Sequence, residues 1–74
     1  GDLTGDSRVQ LVIYNTAGQQ VRLLLDGGMQ PGQHQILWDG RDALDRPVGS
    51  GIYFYRLTLV PGGTQQTRSM MLLK

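Results

Sequence analysis

The chain has 74 residues and no cysteine, and its seven basic and six acidic side chains give a formal net charge of +1. This length supports one small domain, and without cysteine neither a disulfide nor a thiolate zinc site can reinforce its core. The balanced charge excludes the strong positive field of a nucleic-acid or anionic-membrane binder, and no apolar run approaches the ~20 residues of a membrane span. Because the chain opens on Gly1-Asp2 with no signal peptide, we expect it to be a piece of a larger protein.

Turn-forming residues predict an all-β chain. Glycines and prolines interrupt the sequence about every ten residues, which is the spacing of strands and turns. The runs between them are rich in Val, Ile, Leu, Tyr and Thr, which favour strands. Five strands are predicted, over residues 8–14, 20–26, 33–39, 52–60 and 65–73.

The first two predicted strands should form a hairpin. In the first strand Val9, Leu11 and Ile13 lie on one face, which predicts that this face is buried. The segment Asn15-Thr16-Ala17-Gly18 has the composition of a tight turn in which the glycine takes positive φ. In the second strand Leu24 breaks the alternation of apolar residues, and we expect a β-bulge that turns it inward.

The third and fourth predicted strands carry most of the aromatic residues. On the third, His34, Ile36 and Trp38 share a face, and the histidine is expected to be a packed structural residue. On the fourth, Tyr53 and Tyr55 fall on the phase that faces the core. We therefore expect Trp38 and Tyr53 to be buried and to hold the loop between them.

The last predicted strand is apolar on both faces. It follows a hairpin turn at Pro61-Gly62-Gly63. Met70 and Leu72 lie on one face and Met71 and Leu73 on the other. This pattern predicts a strand that is covered on both sides or lies at an interface.

The most specific pattern in the chain is the segment WDGRDALDRPVGSGIYFYRL, which begins at Trp38 and ends at Leu57. A Trp-Asp-Gly turn leads into a polar loop that closes on Gly49-Ser50-Gly51 before an aromatic strand. This segment resembles the immunoglobulin-like domain of the flagellar hook-capping (FlgD) type. It also resembles the related C-terminal sorting domains of the type IX secretion (Por) family. The residues that carry this motif are Trp38, Asp39, Gly40, Asp42, Gly51 and Tyr53.

The resemblance extends over most of the chain. VQLVIYNTAG at residues 9–18, the Val21-Arg22 pair and the final strand that ends at Lys74 are similar to the corresponding strands of the family. The resemblance implies a small antiparallel immunoglobulin-like β-sandwich over residues 9–74. Residues 1–8 are then a linker or the remnant of a preceding strand.

Two departures from the family pattern have structural consequences. Asp45 stands where the family usually has glycine, and aspartate tolerates the left-handed conformation better than most residues. The strand that family members carry before the position of Val9 is replaced by GDLTGDS, which is a poor strand former. An unpaired sheet edge would result, and we expect self-association or docking of a partner by strand addition.

Calcium binding, catalysis and carbohydrate binding are three weaker interpretations of the sequence. Asp39, Asp42 and Asp45 could bind calcium, but aspartates in turns usually accept hydrogen bonds from their own backbone, and Arg41 and Arg46 lie among them. We therefore expect no metal and no cofactor.

Catalysis and glycan binding are likewise disfavoured. The sequence contains no recognisable motif that pairs a nucleophilic side chain with a general base. We therefore expect no enzymatic activity. Tyr14 and Phe54 are the aromatic residues predicted to be exposed, which makes a poor platform for a carbohydrate.

Taken together, the residues and the resemblance predict a non-catalytic C-terminal module of a secreted or cell-surface bacterial protein. The resemblance implies a role in sorting, secretion and cell-surface attachment, with the secretion or surface machinery or neighbouring domains as partners. The alternative is a structural spacer or assembly module, either hook-cap-like or attached to a glycoside hydrolase, and a carbohydrate-binding module is less favoured. The candidate interaction surface is formed by Phe54, Met71, Leu73 and Lys74.

Overall fold

A computed structural model of the chain describes residues 7–29, 36–60 and 62–73. These residues form four strands, which are β1 (Ser7–Tyr14), β2 (Gln20–Met29), β3 (Gly51–Val60) and β4 (Gln65–Leu72). All neighbouring strands are antiparallel, and they form one sheet in the order β2-β1-β3-β4. The predicted all-β antiparallel fold is confirmed. Within the described ranges there is no helix long and apolar enough to cross a membrane.

The core lies on one face of the two central strands. Ile13 is only 1% exposed, and Val9 and Leu11 on the same face of β1 are also buried. The register pairs Val9 with Leu59 and Leu11 with Leu57, so the apolar residues of β3 extend this face. Cross-strand neighbours of this kind share one side of a sheet and pack directly on each other. The predicted core face of the first strand is therefore confirmed.

Strand β2 is irregular where the sequence predicted a bulge. Leu11 pairs with Leu25 and Val12 pairs with Leu23, so Leu24 is the extra residue of a bulge. Leu24 is half-buried, whereas Leu23 has moved to the opposite face and is exposed. A second register shift lies between Ile13 and Tyr14. A bulge inserts one residue and so reverses which side chains face the core beyond it. For this reason a strict alternation of inward and outward residues does not hold along β2.

Both predicted hairpins are present, and Pro61 of the second turn lies outside the described residues. Asn15 organises the first turn, because its carbonyl accepts from the amide of Gly18 (3.0 Å) and its side-chain oxygen accepts from the amides of Ala17 and Gln19. Gly18 has a φ of 83°, a conformation that glycine adopts without steric cost. The β3–β4 turn is closed by the amide of Leu59, which donates to the carbonyl of Thr64.

The prediction of a strand over residues 33–39 is wrong for the part that the structure describes. Residues 36–39 are irregular, and residues 33–35, including His34, lie outside the described residues. The reason is that this segment belongs to the connection between β2 and β3. The sheet order places β1 between those two strands, so the connection has to cross over β1.

Candidate functional site

The loop of residues 39–50 leads into β3 and is flanked by an aromatic pair. The rings of Trp38 and Tyr53 lie edge to face, with centroids 5.2 Å apart and planes at 73°. The Trp38 indole donates to the carbonyl of Arg41 (3.0 Å), and the Tyr53 hydroxyl donates to the carbonyl of Gly49 (2.7 Å). Each ring therefore packs on the other while its polar atom binds loop backbone, an arrangement suited to aromatic residues with one polar group.

Only one of these two rings is buried as expected. Tyr53 is buried, but Trp38 is half-buried. The expectation for Trp38 assumed that it lies on a strand of the core. Instead it lies on the irregular connection and contacts the sheet through the Tyr53 ring, so part of its side chain remains accessible.

Asp39 joins the loop to strand β2. Its Oδ1 accepts from the backbone amide of Arg41 (3.0 Å) and from the guanidinium of Arg22 (3.3 Å). The same guanidinium also approaches the carbonyl of Arg41 at 3.4 Å. A second link comes from the amide of Ala43, which donates to the carbonyl of the bulged residue Val21 (3.1 Å). The irregularity of β2 thus provides an acceptor that fastens the loop to the sheet.

Asp42 closes the tip of the loop. Its Oδ1 accepts from the amides of Leu44 (2.9 Å) and Arg46 (3.0 Å), and its Oδ2 accepts from the Arg46 side chain (3.2 Å). The pKa of Asp42 is lowered from its ordinary value of 3.8, chiefly by the backbone amide of Arg46 and further by the amide of Leu44 and the Arg46 charge. Hydrogen bonds to a carboxylate favour its charged form. The prediction that Asp42 caps its own turn is confirmed.

Two backbone conformations shape the same tip. Gly40 is buried and has a φ of 74°, and Asp45 has a φ of 64°. Arg41 and Pro47 form an isolated bridge, flanked by a hydrogen bond of 2.9 Å from the amide of Val48 to the carbonyl of Gly40. Asp45 thus has the left-handed conformation at a position where the family usually has glycine. The backbone strain expected for a non-glycine residue at this position is therefore present.

The loop uses its charged groups internally. Asp39, Asp42 and Asp45 each pair with an arginine, at N–O distances of 3.3, 3.2 and 3.9 Å. No group of three acidic, His or Cys side chains that could hold a metal occurs in the described ranges. Asp39 and Asp42 therefore serve as turn acceptors, and this arrangement suits a structural brace better than a catalytic centre. The absence of calcium binding remains a prediction.

The remaining motif residues frame this brace. Gly51 directly follows the loop and begins strand β3, with a φ of 152°. Tyr53 comes two residues later, on the core face. The arginines that complete the brace were not predicted from the sequence. The spacing of four residues between Arg41 and Asp45 and between Asp42 and Arg46 is a signal that could have identified two of the pairs.

Two residues of the candidate interaction surface lie on the face opposite the core. Ile52 pairs with Met71 and Phe54 pairs with Ser69, so Phe54 and Met71 project from this outer face. Met71 is 63% exposed, and Leu73, just beyond the end of β4, is 77% exposed. The structure brings these three residues to one end of the sheet, whereas Lys74 lies outside the described residues.

The aromatic residues of the outer face are less exposed than predicted. Tyr14 and Phe54 pair across β1 and β3, and both are half-buried. The guanidinium of Arg56 lies 5.0 Å from the centroid of the Tyr14 ring. This cation–π contact covers part of the ring, so the prediction of two freely exposed aromatic residues is wrong.

The chain is similar to a known family of domains. No curated protein and no solved structure matches it. The family model of the FlgD Ig-like domain matches residues 2–63, which is most of the chain. The match includes the hairpin of β1 and β2, the braced loop and strand β3. The chain belongs to the FlgD Ig-like domain family.

Proposed function

We propose that this Ig-like domain is a non-catalytic sorting and attachment module of a secreted or cell-surface bacterial protein. The FlgD Ig-like domains are a non-enzymatic family, which supports the absence of catalysis. The finer role in type IX sorting rests on the resemblance of the Trp38–Leu57 segment and of the final strand to the sorting tails. The module would engage the secretion or surface machinery.

The observation that carries this proposal is the contrast between the loop and the end of β4. The carboxylates of the loop are occupied by backbone amides and arginines. Met71 and Leu73, in contrast, leave large apolar side chains in solvent at the end of β4. Exposed apolar residues that cluster are typical of interaction sites. Binding is therefore assigned to the strand surface, and the loop is assigned the role of holding the fold.

A secretion reporter tests the proposal. The chain is fused to the C-terminus of a folded reporter enzyme that carries an export signal, in a bacterium with a type IX system. We expect active reporter at the cell surface or in the medium. Met71→Ser combined with Leu73→Ser should retain the reporter in the periplasm. Leu44→Ser is the matched control, because it also removes a highly exposed leucine, but from the loop.

The alternative is a spacer or assembly module. If the wild-type fusion remains in the periplasm as a folded and active enzyme, the sorting role is refuted and a spacer is supported. If the fusion is exported equally with and without Met71 and Leu73, sorting stands and the assigned surface is wrong.

A further inference from the structure

Strand β4 is an edge of the sheet, and its free side can be assigned residue by residue. Among the described residues no strand pairs with the far side of β4. Leu59 donates to Thr64 at 2.8 Å, so this pair is hydrogen-bonded. The register then runs without a shift from Thr58–Gln65 to Gly51–Leu72.

Hydrogen-bonded and non-hydrogen-bonded pairs alternate along an antiparallel ladder. Arg68 and Met70 therefore bond to β3, whereas Thr67, Ser69 and Met71 direct their amide and carbonyl groups toward the free side. An accessible row of this kind accepts an additional strand.

The positive charge of this edge favours the addition of a strand that carries negative charge. Strands β3 and β4 contain Arg56 and Arg68 and no acidic residue. All four carboxylates in the described ranges are already paired, with Arg8, Arg22, Arg41 and Arg46. Arg56 covers the Tyr14 ring, whereas the exposed Arg68 has no ion pair with a described carboxylate.

A second copy of β4 is a poor match for this edge. In the antiparallel pairing of β4 with a second copy centred on Ser69, Arg68 lies opposite Met70 of the other copy. The two Arg68 side chains are then diagonal neighbours, at about 7–8 Å, and like charges at this range disfavour the pairing. A strand that places a carboxylate across from Arg68 is instead favoured by the attraction of opposite charges.

We infer that the free edge of β4 binds an extended segment of another protein that carries acidic side chains, which adds as a fifth strand. Apolar residues of that segment would lie against Met70 and Leu72 on one face and Met71 on the other. This inference rests on the proposed attachment function and defines the chemistry of the segment that the module recognises.

Amide exchange of the whole chain tests the inference. The probe is an extended peptide of alternating valine and glutamate, and the matched probe alternates valine and lysine. With the acidic probe we expect exchange at Thr67, Ser69 and Met71 to slow about tenfold or more. The basic probe should have no such effect, and added salt should weaken binding of the acidic one.

Two kinds of variant separate backbone pairing from charge. Ser69→Pro removes an outward amide without removing a bond to β3, so it should abolish binding and leave the sheet intact. Arg68→Gln should weaken binding about two- to five-fold, the effect of one cross-strand charge pair. Arg8→Gln is its control, because it makes the same change in net charge two strands away. Arg68→Glu alters no backbone group and should transfer the preference to the basic probe.

The inference is overturned if both probes bind equally, if protection appears at other amides, or if Arg68→Glu leaves the preference unchanged. It is also overturned if the chain alone dimerises through β4 as its concentration rises. The secretion reporter distinguishes the two proposals. Export of the wild-type fusion without acidic-probe binding to the wild-type chain refutes the strand-addition inference alone, and specific probe binding without export refutes the sorting role alone.

Discussion

The indole of Trp38 meets the ring of Tyr53 edge to face at 5.2 Å, and this contact joins the irregular connection to the buried face of β3. Each ring also donates a hydrogen bond to the loop backbone, to Arg41 and to Gly49 respectively. The two ends of the loop are therefore fixed by the same pair of side chains. Loss of either ring should loosen the loop and the sheet together.

Trp38→Ala should lower the free energy of unfolding by about 3 kcal/mol, at the low end for a large aromatic residue because the ring is half-buried. The measurement is urea unfolding followed by far-UV circular dichroism, since the variant lacks the only tryptophan. Leu37→Ala is the control. Leu37 is 79% exposed, so its replacement should change the stability by less than about 0.5 kcal/mol. Equal losses in the two variants would contradict the bracing role of Trp38.

Replacements at Asp45 should rank by their tolerance of positive φ. With a φ of 64°, Asp45→Val should cost about 1–2 kcal/mol, because a β-branched side chain clashes in this conformation. Asp45→Asn should be nearly neutral, and Asp45→Gly should be neutral or slightly stabilising. Thermal melting of the three variants checks the order. Leu44→Val is the control at a neighbouring exposed position without positive φ, and a loss there as large as in Asp45→Val would refute the explanation.

Acid should weaken the fold through Asp42. The folded-state pKa of Asp42 is lowered, mainly by the backbone amide of Arg46. Its stabilising contribution is therefore complete above the unfolded pKa near 3.8 and is lost as pH falls through the lower folded pKa. Urea midpoints from about pH 6 to about pH 2 should fall more steeply in the wild type than in Asp42→Asn.

Arg46→Gln tests the cause of the same shift. This variant removes the guanidinium and keeps the two backbone amides that bind Asp42. Most of the extra acid sensitivity should remain, because the amide of Arg46 is the largest cause of the lowered pKa. Parallel pH profiles of wild type and Asp42→Asn would show that Asp42 does not contribute in this way.

Calcium should not stabilise the chain. Both oxygens of Asp42 and Oδ1 of Asp39 accept hydrogen bonds within the protein, and arginines accompany all three loop aspartates. A cation would have to displace these donors. The melting temperature should be the same in excess calcium, in magnesium and with a chelator. A rise of several degrees in calcium alone would reveal a site that binds the folded state.

Local sequence determined the parts of this fold that depend on short-range geometry. The alternation of Val9, Leu11 and Ile13 identified the core face, and Asn15 with Gly18 identified the first turn, because each signal depends only on neighbouring residues. The bulge at Leu24 was predictable for the same reason, since a single residue interrupted an apolar pattern. Strand periodicity likewise placed Phe54 and Met71 on the outer face, as the register shows.

The crossing of the chain over the sheet was decided only by the tertiary structure. The segment before Asp39 has the composition of a strand, yet residues 36–39 are irregular because β1 takes the place beside β3. The same crossing sets how much of Trp38 remains exposed and brings Arg22 to Asp39, 17 residues away along the chain. Contacts between distant segments depend on which strands become neighbours in the sheet. The periodicity of apolar residues predicts strands and their buried faces, but it does not predict the order of the strands.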